Sequence, residues 1–164
     1  MMNKECDLGI IQSKANLQIL QEKIQNGMVI NEFTCEDYAV KDDNESVKYL
    51  IENGCPYDEV LIDIAVERNN IELLQYLIDN DCPLDKWLCV SAIENDNIDC
   101  LKLLIENGCP CDEYVCITSV NGHIECFKYL HSKGFSWGEK VCKTALHCGN
   151  LECFEYAIDN ICLD

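Results

Sequence analysis

An all-α solenoid of stacked helical hairpins is the fold class that three features of this chain predict. They are a fixed repeat length, the return of the same words at that length, and apolar side chains at helical spacing between them. The period is marked by Gly27, Gly54, Asp81, Gly108, Gly134 and Ile161, which stand 27, 27, 27, 26 and 27 residues apart. Around it the words Tyr49-Leu50-Ile51-Glu52-Asn53-Gly54-Cys55-Pro56, Tyr76-Leu77-Ile78-Asp79-Asn80-Asp81-Cys82-Pro83 and Leu103-Leu104-Ile105-Glu106-Asn107-Gly108-Cys109-Pro110 recur. One copy is too small to bury a core alone, so neighbours must stack and present a surface.

Taken from the start, Leu8, Ile10, Ile11 and Ala15 lie where a first helix is expected, followed by a second over Leu17 to Asn26. The ten residues before each later marker, Ile71 to Asn80, Ile98 to Asn107, Ile124 to Lys133 and Leu151 to Asn160, read as the same second helix. In one of them Ile98, Leu101, Leu104 and Ile105 supply the apolar stripe while Asp99, Lys102 and Glu106 stay polar. The Asn-Gly pairs Asn26-Gly27, Asn53-Gly54 and Asn107-Gly108 close it, because glycine accepts the left-handed conformation that ends a helix.

Pro56, Pro83 and Pro110 then forbid continuation. Asp58, Asp85 and Asp112 are placed to cap a new helix, with Tyr57, Leu84, Cys111 and Trp137 before that position and Ile62, Cys89, Cys116 and Cys142 after it as a hydrophobic staple. This first helix of each hairpin carries the small residues Ala65, Ala92, Ser119 and Ala145, where its partner approaches closely. Turns at Asn69-Asn70, Asn95-Asp96-Asn97, Asn121-Gly122-His123 and Gly149-Asn150 join the helices, and the third, one residue short, accounts for the 26-residue spacing. The chain therefore reads as a single domain with a cap over about residues 1–27 and repeats over about 28–54, 55–81, 82–108, 109–134 and 135–164.

Asn121-Gly122-His123-Ile124-Glu125-Cys126-Phe127-Lys128-Tyr129-Leu130 with Gly134, and its echoes at Asn70 to Leu77 and Leu151 to Tyr156, resembles the inner turn and second helix of an ankyrin repeat. Ankyrin repeats are about 33 residues long and open with Thr-Pro-Leu-His after a β-turn finger. Here Val60-Leu61-Ile62-Asp63, Trp87-Leu88-Cys89-Val90 and Lys140-Val141-Cys142-Lys143 stand in its place. The chain is thus similar to a shortened ankyrin variant of the kind found in large DNA viruses and protists, with fingers trimmed or absent. That resemblance implies non-catalytic recognition of a protein partner, a host or cellular protein, through the first helices and the turns between repeats. The residues expected to face that partner are Glu59, Asp63, Lys86, Trp87, Glu113, Tyr114, Lys140 and Lys143.

The formal charge of -18 repels phosphate backbones and anionic headgroups, which argues against nucleic acid and membrane as partners. No signal-peptide-like run or membrane-length apolar stretch is present in the sequence, so a soluble protein of the cytoplasm or another reducing compartment is expected. Eleven of the 14 cysteines fall in three repeat registers: Cys55, Cys82, Cys109 and Cys162; Cys35, Cys89, Cys116 and Cys142; Cys100, Cys126 and Cys153. Equivalent positions of stacked helices lie about 8–10 Å apart, too far for a disulfide, so these are expected as reduced core thiols.

A glycine-rich phosphate loop, a nucleophile elbow and a His-Glu-x-x-His helix are missing from the sequence, and neither enzyme activity nor a cofactor or metal is implied. His123 matches the ankyrin turn histidine, expected to bond backbone in its turn, and His131 stands at an isoleucine position. The competing reading is a cysteine-rich metal or redox module at Cys109, Cys111 and Cys116, which lacks a Cys-x2-Cys knuckle and any basic neighbour in sequence. Phe154, Tyr156, Ile158 and Leu163 form an apolar final repeat through which weak self-association is expected.

Overall fold

Helix closure by a residue in the left-handed region recurs at the first five markers, whereas Ile161 is the last helical residue of its repeat. In the computed structural model, which describes residues 4–161, φ is 89° at Gly27, 79° at Gly54, 59° at Asp81, 80° at Gly108 and 86° at Gly134. At each closure two backbone bonds fold the chain over the helix end. Gly108 N donates to Ile105 O (3.1 Å) and Cys109 N to Leu104 O (3.0 Å), and the same pair is made by Gly54 and Cys55 and by Asp81 and Cys82. The preceding asparagine occupies a further free carbonyl, as Asn53, Asn80 and Asn107 each donate through Nδ2 to the carbonyl four residues back at 2.8 Å. The Asn-Gly-Cys wording is therefore a complete C-terminal cap, with the cysteine as its apolar last member.

The elements are α1 (Lys4–Gln25), α2 (Glu32–Ala39), α3 (Asn44–Glu52), α4 (Glu59–Glu67), α5 (Ile71–Asp79), α6 (Lys86–Glu94), α7 (Ile98–Glu106), α8 (Glu113–Ser119), α9 (Ile124–Ser132), α10 (Glu139–His147) and α11 (Leu151–Ile161). Among the described residues there is no strand, so the connections at residues 53–58, 80–85, 107–112 and 133–138 carry no β finger. The chain divides into two compact units, Met1–Cys82 and Pro83–Asp164. In the first, α2 and α3 form a hairpin, as do α4 and α5; α2 packs on α4, α3 on α5, and α1 on the other side of α3. In the second, the hairpins α6–α7, α8–α9 and α10–α11 stack in series, first helix on first helix and second on second.

The start differs from expectation. A hairpin was expected over Leu8 to Asn26, and α1 instead runs unbroken from Lys4 to Gln25. The reason is local: Lys14-Ala15-Asn16-Leu17 holds neither glycine nor proline nor an Asn-Gly pair to stop a helix. Ser13 Oγ and Asn16 Nδ2 instead donate to the two oxygens of Asp43 (3.1 and 3.0 Å), the buried N-cap of α3. The side chains of Leu8, Ile10 and Ile11, together with Cys162 and Leu163, lie outside the described residues.

The core of the first unit holds Leu50, Leu61, Leu73, Leu74 and Leu77, and that of the second Ile93, Leu101, Leu104, Phe127 and Leu130, all fully buried. Ala65, Ala92, Ser119 and Ala145 are fully buried as well, which lets the two helices of each hairpin approach. Truncating Leu104 to alanine is expected to cost about 3 kcal/mol, measured by urea unfolding followed by circular dichroism. In the same assay Gly108→Ala should cost about 1 kcal/mol, because its φ of 80° strains an L side chain, whereas Asp81→Gly should stabilise by up to about 1 kcal/mol.

Candidate functional site

Capping sets which side chains leave the surface at the start of each hairpin. Asp58 accepts from Val60 N, Asp85 from Trp87 N and Asp112 from Tyr114 N, each at 2.9 Å. These bonds fix the first turn and hold its second residue outward. Phe33, Val60, Trp87 and Tyr114 take that position in α2, α4, α6 and α8, with 60%, 40%, 55% and 46% of their surface exposed. In α10 the position belongs to Lys140, also exposed.

In the second unit these residues make a small, built surface. The rings of Trp87 and Tyr114 meet edge to face, with centroids 5.6 Å apart. Lys86 Nζ lies 5.4 Å from the Trp87 ring and 5.8 Å from that of Tyr114, and pairs with Asp112 Oδ2 at 2.7 Å. That hydrogen bond is the main reason the Asp112 carboxyl sits below its usual range. Beside it, Lys140 Nζ approaches Glu113 Oε2 at 3.9 Å. The arrangement gives two orientated aromatic rings with a cation beside both, a surface that needs little ordering on contact.

Of the residues expected to face a partner, the structure brings Lys86, Trp87, Glu113, Tyr114 and Lys140 onto the starts of α6, α8 and α10. Lys143 is exposed one turn further along α10 and pairs with Glu139 of its own helix (2.8 Å). Glu59 is exposed at the start of α4 in the first unit, while Asp63, one turn on, is half-buried. Phe33 and Val60 were missed by sequence reasoning, although each stands 27 residues before the next member of the row.

Other polar groups are committed within the fold. A groove of about 410 Å³ in the first unit is lined by Lys14, Asp42, Asn44, Glu45 and Glu72 among others. Arg68 holds both oxygens of Asp42 at 2.9 and 2.7 Å, and Lys48 and Asn44 hold Glu72. Those hydrogen bonds lower both carboxyls. His123 departs from expectation: its backbone N–H spans the turn to Ser119 O, whereas its ring meets Asp96 Oδ1 of the preceding repeat at 3.3 Å. His131, half-buried, bonds the Tyr156 hydroxyl (2.8 Å) and stands against Trp137. Among the described residues no three cysteine, histidine or carboxylate side chains converge as a metal ion would require. No helix among them is long and apolar enough to cross a membrane.

No curated protein matches this chain. Residues 37–115 match the family model for ankyrin repeats, in 3 copies. The matched stretch begins within α2 and ends within α8, one residue past Tyr114. It takes in the capped first turns that carry Val60, Trp87 and Tyr114, whereas α10 starts at Gly138 without a side-chain cap. Residues 37–115 of this chain are ankyrin repeats.

Proposed function

We propose that the chain is a non-catalytic protein-binding module, engaging its partner through the first turns of α6, α8 and α10 and the turns beside them, with the first turn of α4 as the corresponding surface of the first unit. Ankyrin repeats generally serve protein–protein interaction. The observation that carries the reading is the exposed Trp87–Tyr114 pair with Lys86 beside both rings. Tryptophan and tyrosine dominate binding hot spots because a large rigid face loses little entropy on contact. Glu113, Lys140 and Lys143 supply a polar rim in this reading, and Glu59 and Asp63 are polar contacts of the first unit. The partner is a cellular or host protein, reached in a reducing intracellular compartment that suits buried free thiols. The charge of -18 disfavours nucleic acid and anionic membranes.

Crosslinking with mass spectrometry in the native cell identifies the partner, and titration calorimetry against the purified partner then reads the surface. Trp87→Ala and Tyr114→Ala are each expected to weaken binding at least tenfold, with Lys143→Ala within about twofold of the parent. Full affinity in the Trp87→Ala, Tyr114→Ala double variant would sink the proposal. Weak self-association belongs to the same reading, supported by the exposed Leu146, Leu151 and Ile158 of the last hairpin. Sedimentation velocity should show concentration-dependent dimerisation that Leu151→Glu removes.

A further inference from the structure

The thiols, separated by register in the sequence, meet across registers in the fold. Cys89 belongs to the first turns of α6, and Cys109 is the last member of the α7 cap. Both are buried and their sulfurs lie 3.3 Å apart. Each is held by backbone that has little freedom. Cys109 N is bonded to Leu104 O at 3.0 Å and its Sγ donates to Asp85 O at 2.9 Å, while Asp85 caps the helix that carries Cys89.

The first unit repeats the arrangement. Cys35 and Cys55 are both buried at the matching positions, and Cys55 Sγ donates to Asn31 O (3.2 Å), the carbonyl of the N-cap of α2, as Cys109 does to that of α6. The separation along the chain is the same in both pairs, 20 residues. In the repeat between them Ile62 stands in the place of Cys35 and Cys89, so Cys82 has no cysteine at the matching position. The pairing is therefore a recurring device with a built-in comparison.

We propose that Cys89 and Cys109 form a reversible intramolecular disulfide when a peroxide reaches them, and that Cys35 and Cys55 do the same in the first unit. The sulfurs need to close from 3.3 Å to about 2.05 Å, a movement within reach of side-chain rotation. Within the pair the proton stays on Cys89, raised by its donation to Cys109 and by burial, and the same bond lowers the Cys109 thiol. Cys109, 5% exposed where Cys89 is fully buried, is the nucleophile once its thiol gives up the proton it shares with Asp85 O. Its thiolate attacks one peroxide oxygen, the O–O bond breaks, and a sulfenic acid and hydroxide form. The Cys89 sulfur then attacks the Cys109 sulfur, the S–O bond breaks, and water leaves as the Cys89 proton is lost. Two thiols are oxidised by two electrons and one peroxide is reduced to two waters. A dithiol reductant reverses the step by exchange.

The test uses the wild-type chain, treated with hydrogen peroxide, quenched with catalase, alkylated in denaturant and mapped without reduction by mass spectrometry. Cys89 is expected linked to Cys109 and Cys35 to Cys55, with Cys82 alkylated, and dithiothreitol should return the four linked cysteines to the alkylated pool. Closing either ring should raise the folding equilibrium constant about a hundredfold over the reduced chain in urea titrations. Cys109→Ser should leave Cys89 alkylated after the same treatment. If that variant does not fold, the wild-type map decides. Cys89 and Cys109 both alkylated after oxidation, Cys109 joined to Cys111, a Cys111–Cys116 bond in place of Cys89–Cys109, or crosslinks between molecules would overturn the proposal.

Discussion

No hairpin of this chain can shield its own apolar flank, and every other feature of the structure answers to that constraint. A helix of nine residues such as α7 spans about 13 Å and is marginal alone in water. It persists because Leu101 and Leu104 are covered from one side by α6 and from another by α9. Small residues make the approach possible: a larger side chain at Ala92 or Ser119 would hold the helices of a hairpin apart and leave the leucines wet. The free energy of each unit therefore resides between repeats, and a truncation in one repeat is felt by its neighbour.

Polar groups convert this greasy contact into a fixed register. Asn44 and Asn70 exchange side-chain hydrogen bonds between successive turns, and Arg68 reaches back to Asp42 as Lys133 does to Glu106. Surface ion pairs of this kind contribute little stability each. Their value is geometric, since a stack held by leucines alone could slide, whereas a bidentate Arg68–Asp42 contact is satisfied at one offset. The same argument explains the first turns. An aspartate that caps one helix and accepts a lysine of the preceding repeat, as Asp112 does from Lys86, holds two neighbouring helix starts together. The aromatic side chains that emerge there are orientated before anything binds.

What the sequence disclosed follows from which interactions are local. The closures at Gly54 and Gly108, the caps at Asp58, Asp85 and Asp112, and the small residues at Ala92 and Ala145 all act within a few residues and could be read directly. Residues 4–25 could not, because one helix and two helices share the same apolar pattern and only a missing turn signal separates them. The cysteine contacts were hidden for another reason. Comparing equivalent positions placed Cys89 with Cys116 and Cys109 with Cys82, while the short contact joins unlike positions, the cap residue that closes α7 and a first-turn residue of α6. Phe33 and Val60 were readable in principle. Their register was visible, but an isolated phenylalanine or valine suggests core until its neighbours in the row prove exposed.

The thiol pair and the aromatic pair are built from one set of bonds. Asp85 caps α6 through its carboxylate, which orientates Trp87, and accepts the Cys109 thiol through its carbonyl. Cys109 in turn leads, through Pro110 and Cys111, into Asp112, the residue that orientates Tyr114 and pairs with Lys86. A covalent bond between Cys89 and Cys109 would join α6, which carries Trp87, to the segment that leads into α8, which carries Tyr114. Because Lys86 is already engaged by Asp112, the exposed ring surfaces of Trp87 and Tyr114 are the part of the patch left free for contact. Rigidity at the sulfur level is then transmitted to those rings through three residues of capped backbone. The chain's abundance of cysteine thus serves two ends with one residue type: a small apolar filler where thiols stand alone, and a latent crosslink where the stack brings two of them together.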